Sequence, residues 1–115
     1  MPTQREVELT QQTTIASGTA ETTIVTADPN FRRNLTRLII TTANAAAATL
    51  TLRDSTGGTT RAILDYPNAA VAPAEPLIIN FDPPMQQQAS NNNWTLQASV
   101  AAGAIHITAD FVTGN

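Results

Sequence analysis

Apolar and polar side chains alternate with a period of two along nearly every segment of this chain. Successive side chains of a strand point to opposite faces, so this pattern builds half-buried sheets rather than helices. The last segment shows it best. From Ala104 to Val112, Ile105, Ile107, Ala109 and Phe111 share one face, and His106, Thr108, Asp110 and Val112 share the other. Before it, Trp94, Leu96, Ala98 and Val100 alternate with Thr95, Gln97 and Ser99. Gly103 can supply the positive φ of a tight turn, so residues 93–112 are expected to form a hairpin.

A second hairpin is expected from Ala48 to Tyr66. Leu50 and Leu52 alternate with Thr49, Thr51 and Arg53, and Ala62 and Leu64 alternate with Arg61, Ile63 and Asp65. The turn formers Asp54-Ser55-Thr56-Gly57-Gly58 join the two runs. Leu35–Thr42 is apolar on both sides at its centre, which suits a central or interface strand. Glu75–Phe81 is another strand, which Pro83-Pro84 is expected to stop. Glu21–Ala27 gives a short strand, and Val7 and Leu9 mark a weak first one. Roughly eight strands with short connections predict an all-β, single-domain antiparallel β-sandwich. Residues 1–17 are expected to form an N-terminal arm and first strand, and 18–115 the sandwich.

The chain has 115 residues and a mass of 12.2 kDa. A globule of that mass exposes about 6,000 Å² of roughly 17,700 Å² in the unfolded chain, enough burial for one core. With no Cys there is no disulfide framework and no thiolate site. With no Lys there is no Schiff-base chemistry and no Walker-A loop. Six Arg and a net charge of -3 argue against nucleic acid and against an anionic membrane surface. The N-terminal residues carry no apolar signal-like run, and no stretch is long and apolar enough for a membrane helix. Synthesis in a cytoplasm is expected.

Candidate chemistry is sparse. His106 is the only His, so one chain cannot build a multi-His metal site, and a surface imidazole is the ordinary case. Four Ser and five Asp allow a triad only on paper, with no Gly-x-Ser-x-Gly elbow. Asp54-Ser55-Thr56-Gly57 lacks the alternating acids of a calcium loop, and Asp28 and Asp82 precede prolines and shape turns. Two Asn-x-Thr triplets are what chance gives in a chain this rich in Asn, Ser and Thr. No catalytic residue, cofactor or metal is expected. Half of the Arg fall within Phe31-Arg32-Arg33-Asn34-Leu35-Thr36-Arg37, which reads either as a solvated loop or as a docking patch for acidic surfaces. Thr and Ala supply 19 residues each, and many outward positions hold Thr, Ser, Gln or Asn rather than charge. Faces of that kind suit burial against copies of the chain.

Three segments together carry a resemblance: Leu35–Gly58, Pro76–Met85 (PLIINFDPPM) and Asn93–Val112. Their order of Thr-rich strands, Asp-x-x-Gly-Gly turn and aliphatic strand ending at Phe-x-x-Pro resembles small β-sandwich structural proteins of tailed bacteriophages. These include capsid decoration (cement) and head-fibre proteins. The resemblance spans about residues 20–112 and implies a jelly-roll-like sandwich. It also implies a non-enzymatic homotrimer on the virion capsid surface, bridging subunits of the major capsid protein. Phe31, Arg32, Arg33 and Arg37, with Arg5, Glu6 and Glu8 of the N-terminal arm, are then the expected partner contacts. The alternative is a carbohydrate- or receptor-binding tail or fibre module, for which only Trp94, Tyr66 and Phe31 could stack on a sugar.

Overall fold

In a computed structural model, residues 8–15, 19–42, 48–66, 76–100 and 104–114 are described. They form eight strands: β1 Glu8–Ile15, β2 Thr22–Val25, β3 Arg32–Thr42, β4 Ala48–Asp54, β5 Thr59–Tyr66, β6 Leu77–Met85, β7 Trp94–Ala98 and β8 Ile105–Gly114. The strands make two antiparallel four-stranded sheets, ordered β1-β8-β3-β6 and β2-β7-β4-β5. Every consecutive pair except β4–β5 crosses from one sheet to the other. This is the strand order of an eight-stranded jelly roll, two interleaved Greek keys. The expected β-sandwich is therefore the observed fold.

The apolar alternation lines the space between the sheets. Leu35, Leu38, Ile40, Ile107 and Ala109 of the first sheet meet Leu50, Leu52, Trp94 and Leu96 of the second, all essentially without exposure. Burying each Leu or Ile in this way contributes about 1.5–3 kcal/mol relative to leaving it in water. The accessible surface is 6294 Å², close to what the mass requires.

The expected hairpin at residues 48–66 is present, with Leu50 opposite Leu64 and Leu52 opposite Ala62. Its turn places Ser55 and Gly57 at positive φ, 73° and 67°. The expected hairpin at 93–112 is absent. β7 pairs with β2 and β4, and β8 pairs with β1 and β3 in the opposite sheet. Gly103 lies outside the described residues. Both strands have an apolar face, and each buries it by facing the other sheet instead of pairing with its neighbour in sequence.

Pro83 and Pro84 do not stop β6 either. The strand runs on to Met85 through a cis Asp82–Pro83 bond, and its pairing with β3 shifts between Leu35–Met85 and Arg37–Asn80. β6 is an edge strand, and residues 81–84 between those two pairs have no partner on β3, so the prolines fall where the ladder is interrupted. β3 lies between β8 and β6, as its two-sided apolar centre predicts. Opposite β8, Leu35 faces Phe111 and Arg37 faces Asp110, so Thr36 is the extra residue of a β-bulge. The bulge puts Leu35 and Leu38 both in the core, three positions apart. From Glu8 to Ile15 the first strand is an edge strand paired with β8 along its full length. Arg5 and Glu6 lie outside the described residues.

Candidate functional site

Antiparallel pairing brings the connections 26–31, 55–58 and 86–93 to one end of the sandwich. Loops bunched there leave many backbone groups without ladder partners, and a polar cluster satisfies them. Ser55 N donates to Asn93 O at 2.6 Å, and Asn91 N to Asp28 O at 2.7 Å. Buried Asp54, at the end of β4, accepts from Gln88 N (2.6 Å), Asn92 Nδ2 (3.1 Å) and Arg61 Nη1 (3.2 Å). Buried Gln87 accepts from Arg33 N and donates to Asn92 O, and its own amide N donates to Asn34 Oδ1. Trp94 Nε1 donates to Arg33 O at 2.6 Å.

The arginine-rich stretch is divided by the strand it lies on. Arg33 packs 5.1 Å over the Phe111 ring, donates to Thr26 O at 2.7 Å and pairs with Asp28 at 3.7 Å. Its Nε is the one buried side-chain polar atom without a hydrogen-bond partner among the described residues. Arg37 turns to the outer face and holds Asp110 through Nε (2.8 Å) and Nη2 (2.7 Å). Thr10 also donates to Asp110, which is why this outward position of β8 is buried. Phe31 is 38% exposed. Glu8 is exposed and accepts from the bulge hydroxyl of Thr36 at 2.7 Å. These residues therefore do not form one continuous cationic patch. The Arg33 and Arg37 guanidinium groups tie strands and loops of the fold together.

Arg61 is the residue that sequence reasoning left as an ordinary outward position of β5. Its Nη1 bonds Asp54 and also Gln86 O at 2.8 Å, and its guanidinium lies 5.7 Å over the Trp94 ring. Trp94 is fully buried, so it offers no face for stacking against a sugar. Two surface depressions meet at Arg61 and Gln86. One, of about 570 Å³, is lined by Pro83, Pro84, Met85, Asn34 and Val112. The other, of about 480 Å³, is lined by Arg32, Thr59, Thr60, Gln87 and Gln88. The signal that could have pointed here is the amide-rich run Gln86–Asn93. Of these amides, Gln87, Asn92 and Asn93 find partners within this cluster.

The outer face of the second sheet carries a smaller network. Thr95 Oγ1 and Gly57 N both donate to the Glu21 carboxylate, and Arg53 approaches it at 3.9 Å and also holds Gln97. Burial pushes the Glu21 carboxyl up, but the Thr95 hydroxyl, the Gly57 amide and the Arg53 charge outweigh it, and its pKa is lowered. Thr95, expected on the surface, is buried beneath this network.

The outer face of the first sheet has a different texture. Register sets Thr10, Asp110, Arg37 and Asn80 in one row and Gln12, Thr108, Ile39 and Ile78 in the next. A third row holds Thr14, His106 and Thr41, with Thr14 Oγ1 3.1 Å from His106 Nδ1. Ile78 is 54% exposed. No group of three metal-ligating side chains occurs among the described residues. Comparison with known protein families and with characterised proteins finds no match.

Proposed function

We propose that the chain is a virion structural protein, a capsid decoration (cement) protein that acts as a homotrimer on a phage head and bridges major capsid subunits. The supporting observation is the outer face of the β1-β8-β3-β6 sheet. Its three central rows carry one opposite-charge pair, Arg37–Asp110, which the sheet itself neutralises. Beside that pair lie Thr, Gln and Asn with an exposed Ile78 next to Ile39. A free-standing sheet keeps such a face soluble with charge, whereas a face that other chains cover needs none. Each bound copy would stabilise the shell by binding only its assembled state. Phe31, Arg32 and Glu8, together with Arg5 and Glu6, supply the contacts in this reading. Arg33 and Arg37 shape the surface through their internal partners.

The test joins native mass spectrometry of the purified chain with sedimentation against capsids of the virus that encodes it. A trimer that co-sediments saturably is expected. A monomer that leaves capsids unbound overturns the proposal.

A further inference from the structure

We propose that the outer edge of β5 pairs antiparallel with β5 of a second copy of this chain, about a two-fold axis at Ile63. β5 ends its sheet, and among the described residues no strand lies beyond it. Such an edge is a template for another strand unless something blunts it. The other described edges are blunted. Gln11 of β1 stitches the edge it shares with β2, accepting from Thr26 N at 2.9 Å and donating to Thr26 Oγ1 at 3.3 Å. β2 itself is only four residues long. β6 carries Pro83 and Pro84. β5 holds no Pro, Gly or Lys.

The side chains of this edge are apolar and half covered. Ala62, Leu64, Leu77, Phe81 and Met85 pack against the core yet stay partly exposed, and all belong to β5 or β6. Ile63, on the outer face, is 65% exposed, more than any other large apolar side chain among the described residues. Register decides the partner. A two-fold axis across an antiparallel pair sets one residue opposite itself. Centred on Ile63, it sets Ile63 against Ile63, and Ala62 against Leu64 of the second copy. That is small against large, as Leu52 meets Ala62 within the chain. Centred on Leu64, it sets Ile63 against Asp65. Centred on Ala62, it sets Ile63 against Arg61, the extra residue of the bulge opposite Leu52 and Arg53. In the Ile63 register each Asp65, held by Thr49 Oγ1 at 3.2 Å, stands opposite Arg61 of the second copy, so no acid meets an acid. Arg61 keeps its bond to Asp54, so apolar burial and ladder hydrogen bonds carry the contact. The bulge limits regular pairing to Ala62–Tyr66, far fewer than the roughly 20–30 residues a side of a stable dimer. The pairing is therefore weak, with a dissociation constant on the order of 0.1 mM. A two-fold contact cannot build a trimer, so it is separate from the capsid reading and joins in pairs whatever species the dilute chain forms.

Sedimentation velocity of the full chain from about 5 μM to about 500 μM spans this constant. The mass is expected to double reversibly as concentration rises. Ile63→Lys places a gatekeeper charge on the edge and should hold the dilute mass throughout. Ile63 is exposed, so an unchanged urea midpoint certifies that variant as folded. The chain has no Cys, so a single engineered thiol reads the register directly. In Ile63→Cys the two thiols face each other across the axis, close enough for a disulfide. Pairing raises their local concentration to about millimolar, so mild oxidation should link Ile63→Cys about tenfold faster than the exposed control Val100→Cys. A mass that does not change with concentration, doubling that survives Ile63→Lys, or linking no faster than the control overturns the proposal. Whether the dilute species is a trimer or a monomer bears on the capsid reading alone.

Discussion

At the scale of single residues, two carboxylates decide most of what is distinctive. Asp54 closes β4 and gathers the 86–93 connection and β5 through three donors. Substituting Asp54→Asn removes the charge opposite Arg61 and turns an acceptor toward a poorer partner. A loss of about 2–3 kcal/mol is expected, read as a lower urea midpoint with unchanged slope. A midpoint equal to wild type would show that Asp54 is not the hub of this end. Glu21 works through pH. Its folded pKa lies below the ordinary 4.5, so its stabilising contribution is complete above that value. The contribution is lost as pH falls through the folded pKa, because the unfolded chain takes up the proton first. Glu21→Gln should therefore be less stable than wild type near neutral pH, and the gap should close in acid. Urea unfolding of both proteins at about pH 7 and about pH 3 checks this. A gap that stays constant would remove Glu21 from the pH dependence. Glu21, Thr95 and Arg53 look like unrelated surface positions in the sequence, since their meeting depends on how β2, β7 and β4 line up.

At the scale of elements, the bulge in β3 shows what alternation hides. Leu35 and Leu38 cannot share a face in a regular strand, yet both are fully buried. Thr36 supplies the extra residue and turns its hydroxyl to Glu8 on β1. Deleting Thr36 restores strict alternation and keeps Leu35, Leu38 and Ile40 on the core face. The deletion is expected to fold, with a loss of no more than about 2 kcal/mol. Deleting Ile39 instead carries Ile40 to the outer face and should abolish the cooperative unfolding transition. Far-UV circular dichroism and urea unfolding separate the two, and a folded Ile39 deletion would contradict the register. β2 uses the same device. Its pairing shifts between Thr23 and Val25, so Ile24 and Val25 are both buried. Prolines in β6 likewise mislead a reading made strand by strand. They bar an interior strand, but they leave an edge strand free to continue.

At the scale of the whole molecule, the amino-acid order settled the class of fold and the inward side of most strands. Alternation and β-branching are local, and burial rewards them in any sandwich. The 48–66 hairpin was legible too, from the turn formers Asp54 to Gly58 set between two alternating runs. The same kind of evidence failed at 93–112, where an equally plausible turn joins strands of opposite sheets. Pairing in a jelly roll is long-range. A strand with one apolar face can satisfy its ladder beside several partners, and the choice falls to the arrangement that buries both sheets' faces at once. The cluster at the three-loop end has the same origin. Arg61, Asp54, Gln87 and Trp94 are separated in sequence and become neighbours only when β4, β5, β6 and β7 reach one end together. The sequence determined that this chain forms sheets and most of the apolar side chains that those sheets bury. Only the tertiary structure decided which strands pair and which polar groups meet, because pairing energy depends on partners that local sequence does not specify.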